Sequence, residues 1–489
     1  MLPLIFTALV GVIIFTAFII IIHNKPDFWF WLFLNLYFDP GGYIRGYLGG
    51  ALIGPLNMSD IFIVGIVICL ISARVNWNLI GKDKLFVNFL SMLIIFGVYH
   101  FVIFGGIVPY YKDDLNYFSF LIKNRIYIYG IIIFVSVYAF ALRNLNYYYT
   151  ITLSVGIICL TAYWITLTTG INLIPVVELK RYSGKVDTGM TRLGIYSFGI
   201  FYQLFLLALI CFLLTQKEKI KLYYKTWLYY GGILMVMTAL VSLTRRLQID
   251  ILASVLLVII LIVYLYGLEK LFKPLKLVLP IILIVIAMLF TLPEYTDHIV
   301  KTGEDTFSIL FTGEDAGGVE EYRVKGTGDL EIVKNLIGDN LFFGNGFSHI
   351  DWGNENGITS TRGDKFAVAW DAAEEVPIYF SLFAYGIAGV ILIALLYVFL
   401  IKLSFNLLKK IKMHYAINLK EPLILLFSIY FLSSVAKMFT SNLYQLGSAF
   451  FATNLSSTAV LIGIGFALYS KIFFDLVQGI QNNIRYSFK

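Results

Sequence analysis

Apolar runs of membrane-spanning length recur along most of this 489-residue chain, and they leave few architectures open. Within lipid every backbone N–H and C=O must find its partner inside the protein, so only α-helices and closed β-barrels cross. A barrel strand reads as alternating apolar and polar residues. Here the runs are solid blocks, which read as helices. Only 14% of residues are charged and 59% are hydrophobic, against about 25% charged in a soluble domain. The sequence therefore predicts an all-α polytopic membrane helical bundle. Apolar spans fall at 3–22, 28–50, 58–73, 85–106, 126–142, 148–175, 193–215, 226–244, 248–267, 274–292, 376–401, 421–438 and 446–470. That gives thirteen spans, or twelve if the second, broken by Asp39-Pro40-Gly41-Gly42, is a short helix with a re-entrant piece. The first segment is too long and too poorly flanked for a cleaved signal and reads as a retained helix.

One long segment departs from this pattern. Pro293 to Glu375 holds seventeen acidic residues against six basic ones, a net −11 in a chain of net +7, which leaves +18 on the rest. Polar excursions of this length between spans usually carry function. The chain thus divides into an N-terminal membrane bundle of about ten spans (1–292), one large loop domain with short amphipathic helices (293–375), and C-terminal spans with a tail (376–489).

Lysine and arginine placement sets the orientation. Lys217, Lys219, Lys221 and Lys225 share one short loop, Lys270, Lys273 and Lys276 another, and Lys402, Lys409, Lys410, Lys412 and Lys420 a third. Arg74, Lys82 and Lys84 agree with them. The positive-inside rule makes that side cytoplasmic. The loop 293–375 then faces outward, as do 107–125, 176–192 and the turn Thr244-Arg245-Arg246-Leu247. A bacterial inner (cytoplasmic) membrane, with the loop periplasmic, is the expected location.

Several chemistries find no support. Cys69, Cys159 and Cys211 each sit within an apolar run and read as small buried hydrophobes, neither a disulfide framework nor a thiolate metal site. The five histidines lack ligand spacing. There is no phosphate loop and no dinucleotide fingerprint. No cofactor, no metal and no nucleic-acid partner are expected.

The outward-facing breaks in the apolar pattern supply the candidate site. Arg245 and Arg246 close one span, and Asp250 follows Arg246 by four residues, the spacing of an intrahelical ion pair. Charge at a membrane boundary is a site hypothesis, although snorkelling arginines at an interface are common. Arg192 stands just ahead of the span at Leu193. Within the loop, Arg323 precedes an amphipathic stretch (Leu330, Ile332, Val333, Leu336, Ile337) that Gly338 is placed to stop. Leu341-Phe342-Phe343-Gly344-Asn345-Gly346-Phe347 then gives a Gly-x-Gly turn, where backbone bends or approaches something closely. Glu374 and Glu375 immediately precede Val376-Pro377 at the mouth of the next span. Beside a cavity, desolvation raises a carboxylate's pKa and suits it to general-base work.

These residues, in this order, resemble the O-antigen ligase and polymerase superfamily. Thr244-Arg245-Arg246 is similar to that family's Ser-Arg-Gly element. Arg323, its following helix and Leu341 to Gly346 resemble the arginine, helix and Pro-x-x-Gly-x-Gly run of its large periplasmic loop. Glu375 through Tyr385-Gly386-Ile387-Ala388-Gly389 resembles its His-Asn-x-x-Leu…Gly-x-x-Gly run into the next span, and Arg192 fits a further arginine before a middle helix. Together the elements cover about half the chain. Two positions depart: Glu375 stands where ligases carry a histidine, and Arg246 replaces a glycine.

The resemblance implies a GT-C-like, metal-independent glycosyltransferase whose donor is an undecaprenyl-diphosphate-linked glycan. Arg192, Arg245, Arg246 and Arg323 would bind the diphosphate, because guanidinium forks match phosphate oxygens and stay charged. Glu375, or else Glu374, Asp371 or His349, would take the acceptor proton, which arginine cannot do. Trp352 or Trp370 would stack on sugars. Membrane lipid, a chain-length regulator and a flippase are the implied partners. A polymerase joining repeat units of an O-antigen, capsule or exopolysaccharide is the first reading. A ligase moving the finished glycan to lipid A core or protein is the second, weakened by the missing histidine. A glycolipid transporter or flippase is the third, disfavoured because no internal repeat is visible.

Overall fold

The computed structural model describes residues 20–39, 51–53, 56–75, 77–111, 117–169, 341–346, 377–415 and 452–487, with isolated positions at 171 and 173, between 230 and 267, and between 428 and 450. Five helical stretches are long and apolar enough to cross a membrane: Lys84–Tyr111, Phe120–Arg143, Leu145–Thr166, Ala384–Lys412 and Leu455–Ile472. The chain is a helical membrane protein. The spans expected at 193–215, 226–244, 248–267, 274–292 and 421–438 fall outside the described residues apart from isolated positions, as does nearly all of 3–22.

Helix α1 (Pro26–Phe38) starts with proline in its first turn, where a missing N–H costs nothing. It ends at the break that the sequence marks. Asp39 adopts φ 44, ψ 60, and its N–H donates to Leu36 O at 3.1 Å. The following Pro40 disfavours a helical residue at 39, and aspartate tolerates the left-handed region. Strands β1 (Ala51–Ile53) and β2 (Leu56–Asn57) form a minimal antiparallel ladder, a small departure from an all-helical reading. Helix α2 (Met58–Ser72) opens on a capping box: Asn57 Oδ1 accepts from Asp60 N at 3.2 Å, and Asn57 N donates to Asp60 Oδ2 at 2.7 Å. After the single turn α3 (Trp77–Ile80), helix α4 (Lys84–Val98) passes into a π-helical stretch, Tyr99–Ile107, and on into α5 (Val108–Tyr111). Helices α6 (Tyr117–Arg143), α7 (Leu145–Thr169), α8 (Pro377–Tyr415) and α9 (Ala452–Ser487) follow.

The π stretch corrects one expectation. Residues 107–125 read as an outward connection, yet helix continues to Tyr111 and resumes at Tyr117. A proline at 109 would drive its ring into the carbonyl four residues back in an α-helix. A wider turn ahead of it relieves that collision: Val108 N donates to Ile103 O, five residues back.

Helices α6 and α9 lie close because small residues face large ones. A Cβ on Gly130 would come within 2.6 Å of Leu455, and one on Gly463 within 2.9 Å of Val137. In lipid such close fit, rather than water exclusion, drives helix association. Helix α4 packs on both through an aromatic cluster: Phe86 stacks on Tyr138 (3.9 Å between centroids) and Phe134 (5.1 Å), and Phe466 meets Phe89 at 5.1 Å.

Polar contacts tie one end of these helices together. Asp83 caps α4 by accepting from Phe86 N at 3.1 Å, and also accepts from the hydroxyls of Tyr138 (2.9 Å) and Ser470. Lys410 Nζ lies 3.4 Å over the Tyr469 ring. Arg143 pairs with Asp27 at 2.9 Å and donates to Ala73 O at 2.5 Å. Arg74, Lys84, Arg143 and Lys410 therefore share one end of the bundle, which agrees with grouping Arg74, Lys84 and Lys410 on one side. The free cysteines Cys69 and Cys159 are buried as expected, and Cys211 lies outside the described residues.

Candidate functional site

Away from the lysine-rich end, three chain segments distant in sequence interlock. They are the π stretch Tyr99–Ile107, the turn Leu341–Gly346 and the Tyr385–Gly389 run of α8. Gly386 breaks α8 with φ 64, ψ −173. In an unbroken helix Ala388 N would donate to Ala384 O. Here Ala388 N donates to Phe342 O at 3.1 Å and Ile387 N to Leu341 O at 2.9 Å, while Gly346 N donates to Ala384 O at 3.1 Å. The turn thus supplies the partners that the broken helix lost. The two backbones approach so closely that each crossing point requires glycine. A Cβ on Gly344 would lie 2.4 Å from Ala384 O, and one on Gly386 2.4 Å from the Gly344 nitrogen. Gly346 lies against Val108 and Phe104, where a Cβ would come within 2.8 Å of the Val108 side chain.

A buried polar network underlies this joint. The Tyr99 hydroxyl stands 2.5 Å from Tyr385 O and 3.1 Å from Phe343 O, so its single proton serves the span and the turn from one position. Next to it, His100 is fully buried and bonded at both ring nitrogens: Nδ1 to the Tyr385 hydroxyl and Nε2 to Asn124 Oδ1, each at 3.0 Å. Asn124 Nδ2 donates to Phe120 O at 3.1 Å, which leaves Oδ1 as the acceptor. Nε2–H therefore donates to Asn124, and Nδ1 shares a hydrogen bond with the Tyr385 hydroxyl. Phe104 and Tyr127 stack on the imidazole at 5.0 and 5.4 Å. One hydrogen-bonded chain links α8, the π stretch and α6.

A second polar group neighbours it on α6. Arg125 pairs with Asp60, Nε to Oδ1 at 3.0 Å and Nη2 to Oδ2 at 3.1 Å, and the Tyr129 hydroxyl donates to the same carboxylate. Their side chains are 21% and 11% exposed. Such a pair holds two opposite charges at low net charge where either alone would be costly.

The sequence-derived site residues Arg192, Arg245, Arg246, Arg323, His349, Asp371, Glu374 and Glu375 all lie outside the described residues, and so do Trp352 and Trp370. What the structure brings together is the pair of glycine runs quoted for the resemblance, Gly344-Asn345-Gly346 and Gly386-Ile387-Ala388-Gly389. Sequence reasoning missed Tyr99, His100 and Asn124, and quoted Tyr385 only within the run into the next span. Their available signal was a histidine inside an apolar run, which deserves a site hypothesis even without metal-ligand spacing. No protein-family profile, curated protein or solved structure matches this chain.

Proposed function

We propose that this protein is an integral-membrane glycosyltransferase that polymerises undecaprenyl-diphosphate-linked oligosaccharide repeat units at the outer face of a bacterial cytoplasmic membrane. The observation that carries the reading is the joint between Leu341–Gly346 and Tyr385–Ala388. It ties the middle of the acidic segment to the span that follows Glu375, as a loop working over a membrane-embedded donor requires.

In the proposed reaction an acceptor sugar hydroxyl attacks the anomeric carbon of the donor. The bond from that carbon to the diphosphate oxygen breaks, and the lipid diphosphate leaves with the electron pair. Arg192, Arg245, Arg246 and Arg323 offset the charge that builds on the leaving oxygens. Glu375 receives the hydroxyl proton, with Glu374, Asp371 and His349 as the alternative bases. No metal or cofactor takes part.

Arg323→Ala and Arg245→Ala, expressed in the native host, should each abolish glycan extension while the protein inserts at normal abundance. Arginine-to-lysine variants should not rescue, because an ammonium offers a point charge where the diphosphate needs a fork. Ordinary chain length in both alanine variants would remove the proposal.

A further inference from the structure

The turn Leu341–Gly346 directs its polar backbone inward and its large side chains outward. The carbonyls of Leu341 and Phe342 accept from Ile387 and Ala388, that of Phe343 faces the Tyr99 hydroxyl, and Gly346 N donates to Ala384 O. Meanwhile Leu341, Phe342 and Phe343 are 48%, 60% and 48% exposed. A loop tip in water shows the opposite arrangement, with polar side chains outside and solvent satisfying its carbonyls.

The partners fix the level of the turn. Tyr99 lies within the 28-residue span Lys84–Tyr111, about 22 Å from its first residue at the α-helical rise. A hydrocarbon layer of about 30 Å that starts near Lys84 therefore encloses it. Non-helical backbone at such depth is tolerated only where protein satisfies it, and here protein does.

We infer that Leu341–Gly346 is a re-entrant turn whose Leu341, Phe342 and Phe343 side chains contact the hydrocarbon chains of the bilayer. The acidic segment is then not wholly external: its middle dips into the membrane and is stitched to the broken helix there. The inference stands on the membrane fold alone and survives if the catalytic proposal fails.

Site-directed spin labelling tests it on the full chain in phosphatidylcholine vesicles. Cys69, Cys159 and Cys211 are replaced by alanine, and single cysteines are introduced by Phe342→Cys and, separately, Phe343→Cys. Collision rates are read with oxygen, which concentrates in hydrocarbon, and with a neutral nickel chelate, which stays in water. Ile391→Cys, at a 54% exposed position on α8, and Tyr111→Cys, at an 81% exposed position ending α5, serve as references. Both turn labels should match Ile391→Cys, with the oxygen-to-nickel ratio at least about tenfold above that of Tyr111→Cys, as expected for hydrocarbon depth. Nickel access equal to Tyr111→Cys, or shielding from both reagents by other protein, overturns the inference. A second reading needs no cysteine-free background. Phe342→Asp should cut the yield of folded protein about tenfold relative to Phe342→Leu, a charge in hydrocarbon being strongly disfavoured. Equal yields overturn it.

Discussion

Replacing Gly386 by alanine should unstitch the turn from the span. Gly386 has φ 64, ψ −173, a region that essentially only glycine occupies without strain. Holding alanine there costs about 1–3 kcal/mol. The new Cβ would also lie 2.4 Å from the Gly344 nitrogen and from Phe342 O. Those are backbone atoms, which cannot step aside as a flexible side-chain end does, and overpacking adds about 1–3 kcal/mol more. The combined penalty of roughly 4 kcal/mol corresponds to about a 10³-fold rise in local opening, at 1.4 kcal/mol per decade. Hydrogen exchange read by mass spectrometry on the purified protein is the assay. Amides of Ile387, Ala388 and Gly346 should lose protection together, since all three bond across the joint. Gly267→Ala is the control: φ is +81 there but nothing lies within 4 Å, so it adds strain without a clash and should leave 341–346 unchanged. If Gly386→Ala keeps protection within tenfold of wild type, the reasoning about the joint is wrong.

Further outcomes follow from the polar groups beneath it. His100→Phe removes the hydrogen bonds to the Tyr385 hydroxyl and to Asn124 Oδ1, at about 1–3 kcal/mol each. Thermal unfolding in detergent should show clear destabilisation, and Tyr385→Phe added to His100→Phe should cost less than the two changes summed. Additive losses would mean the two side chains do not interact. Asp60→Asn strips Arg125 of its counter-charge, so stability should fall by about 2–4 kcal/mol. Adding Arg125→Gln should then recover part of that loss, and no recovery would contradict a mutually dependent pair. For the proposed chemistry, Glu375→Gln should be severely impaired in chain extension, and near-normal activity would move the base to Asp371 or His349.

Much of the architecture was legible because membrane helices are written locally. Solid apolar blocks placed spans at 85–106, 126–142 and 148–175, where helix runs over Lys84–Tyr111, Tyr117–Arg143 and Leu145–Thr169, and Asp39-Pro40 marked the end of α1 because its effect is on adjacent dihedrals. Gly344 and Gly346 announced a special backbone for the same reason, and both have positive φ. The helix through 107–111 was not legible. It depends on a shift to five-residue hydrogen bonding ahead of Pro109, which no apolar period encodes. The network around His100 escaped because its partners lie 24 and 285 residues away. A lone histidine in an apolar run does not name them. Gly386 was quoted only as part of a glycine run: its backbone conformation and the atoms of Gly344 and Phe342 that crowd it belong to the joint. The candidate arginines and carboxylates were chosen from charge set against an apolar background, and they lie outside the described residues.

If the protein lengthens a lipid-linked glycan, as proposed, mass spectrometry of lipid-linked glycans in a strain lacking the gene will show it. Loss of the protein should leave single repeat units on undecaprenyl diphosphate, with long chains restored by the wild-type gene and not by Arg323→Ala. Full-length chains accumulating on the carrier would point to transfer rather than extension, and an unchanged glycan profile would rule out both.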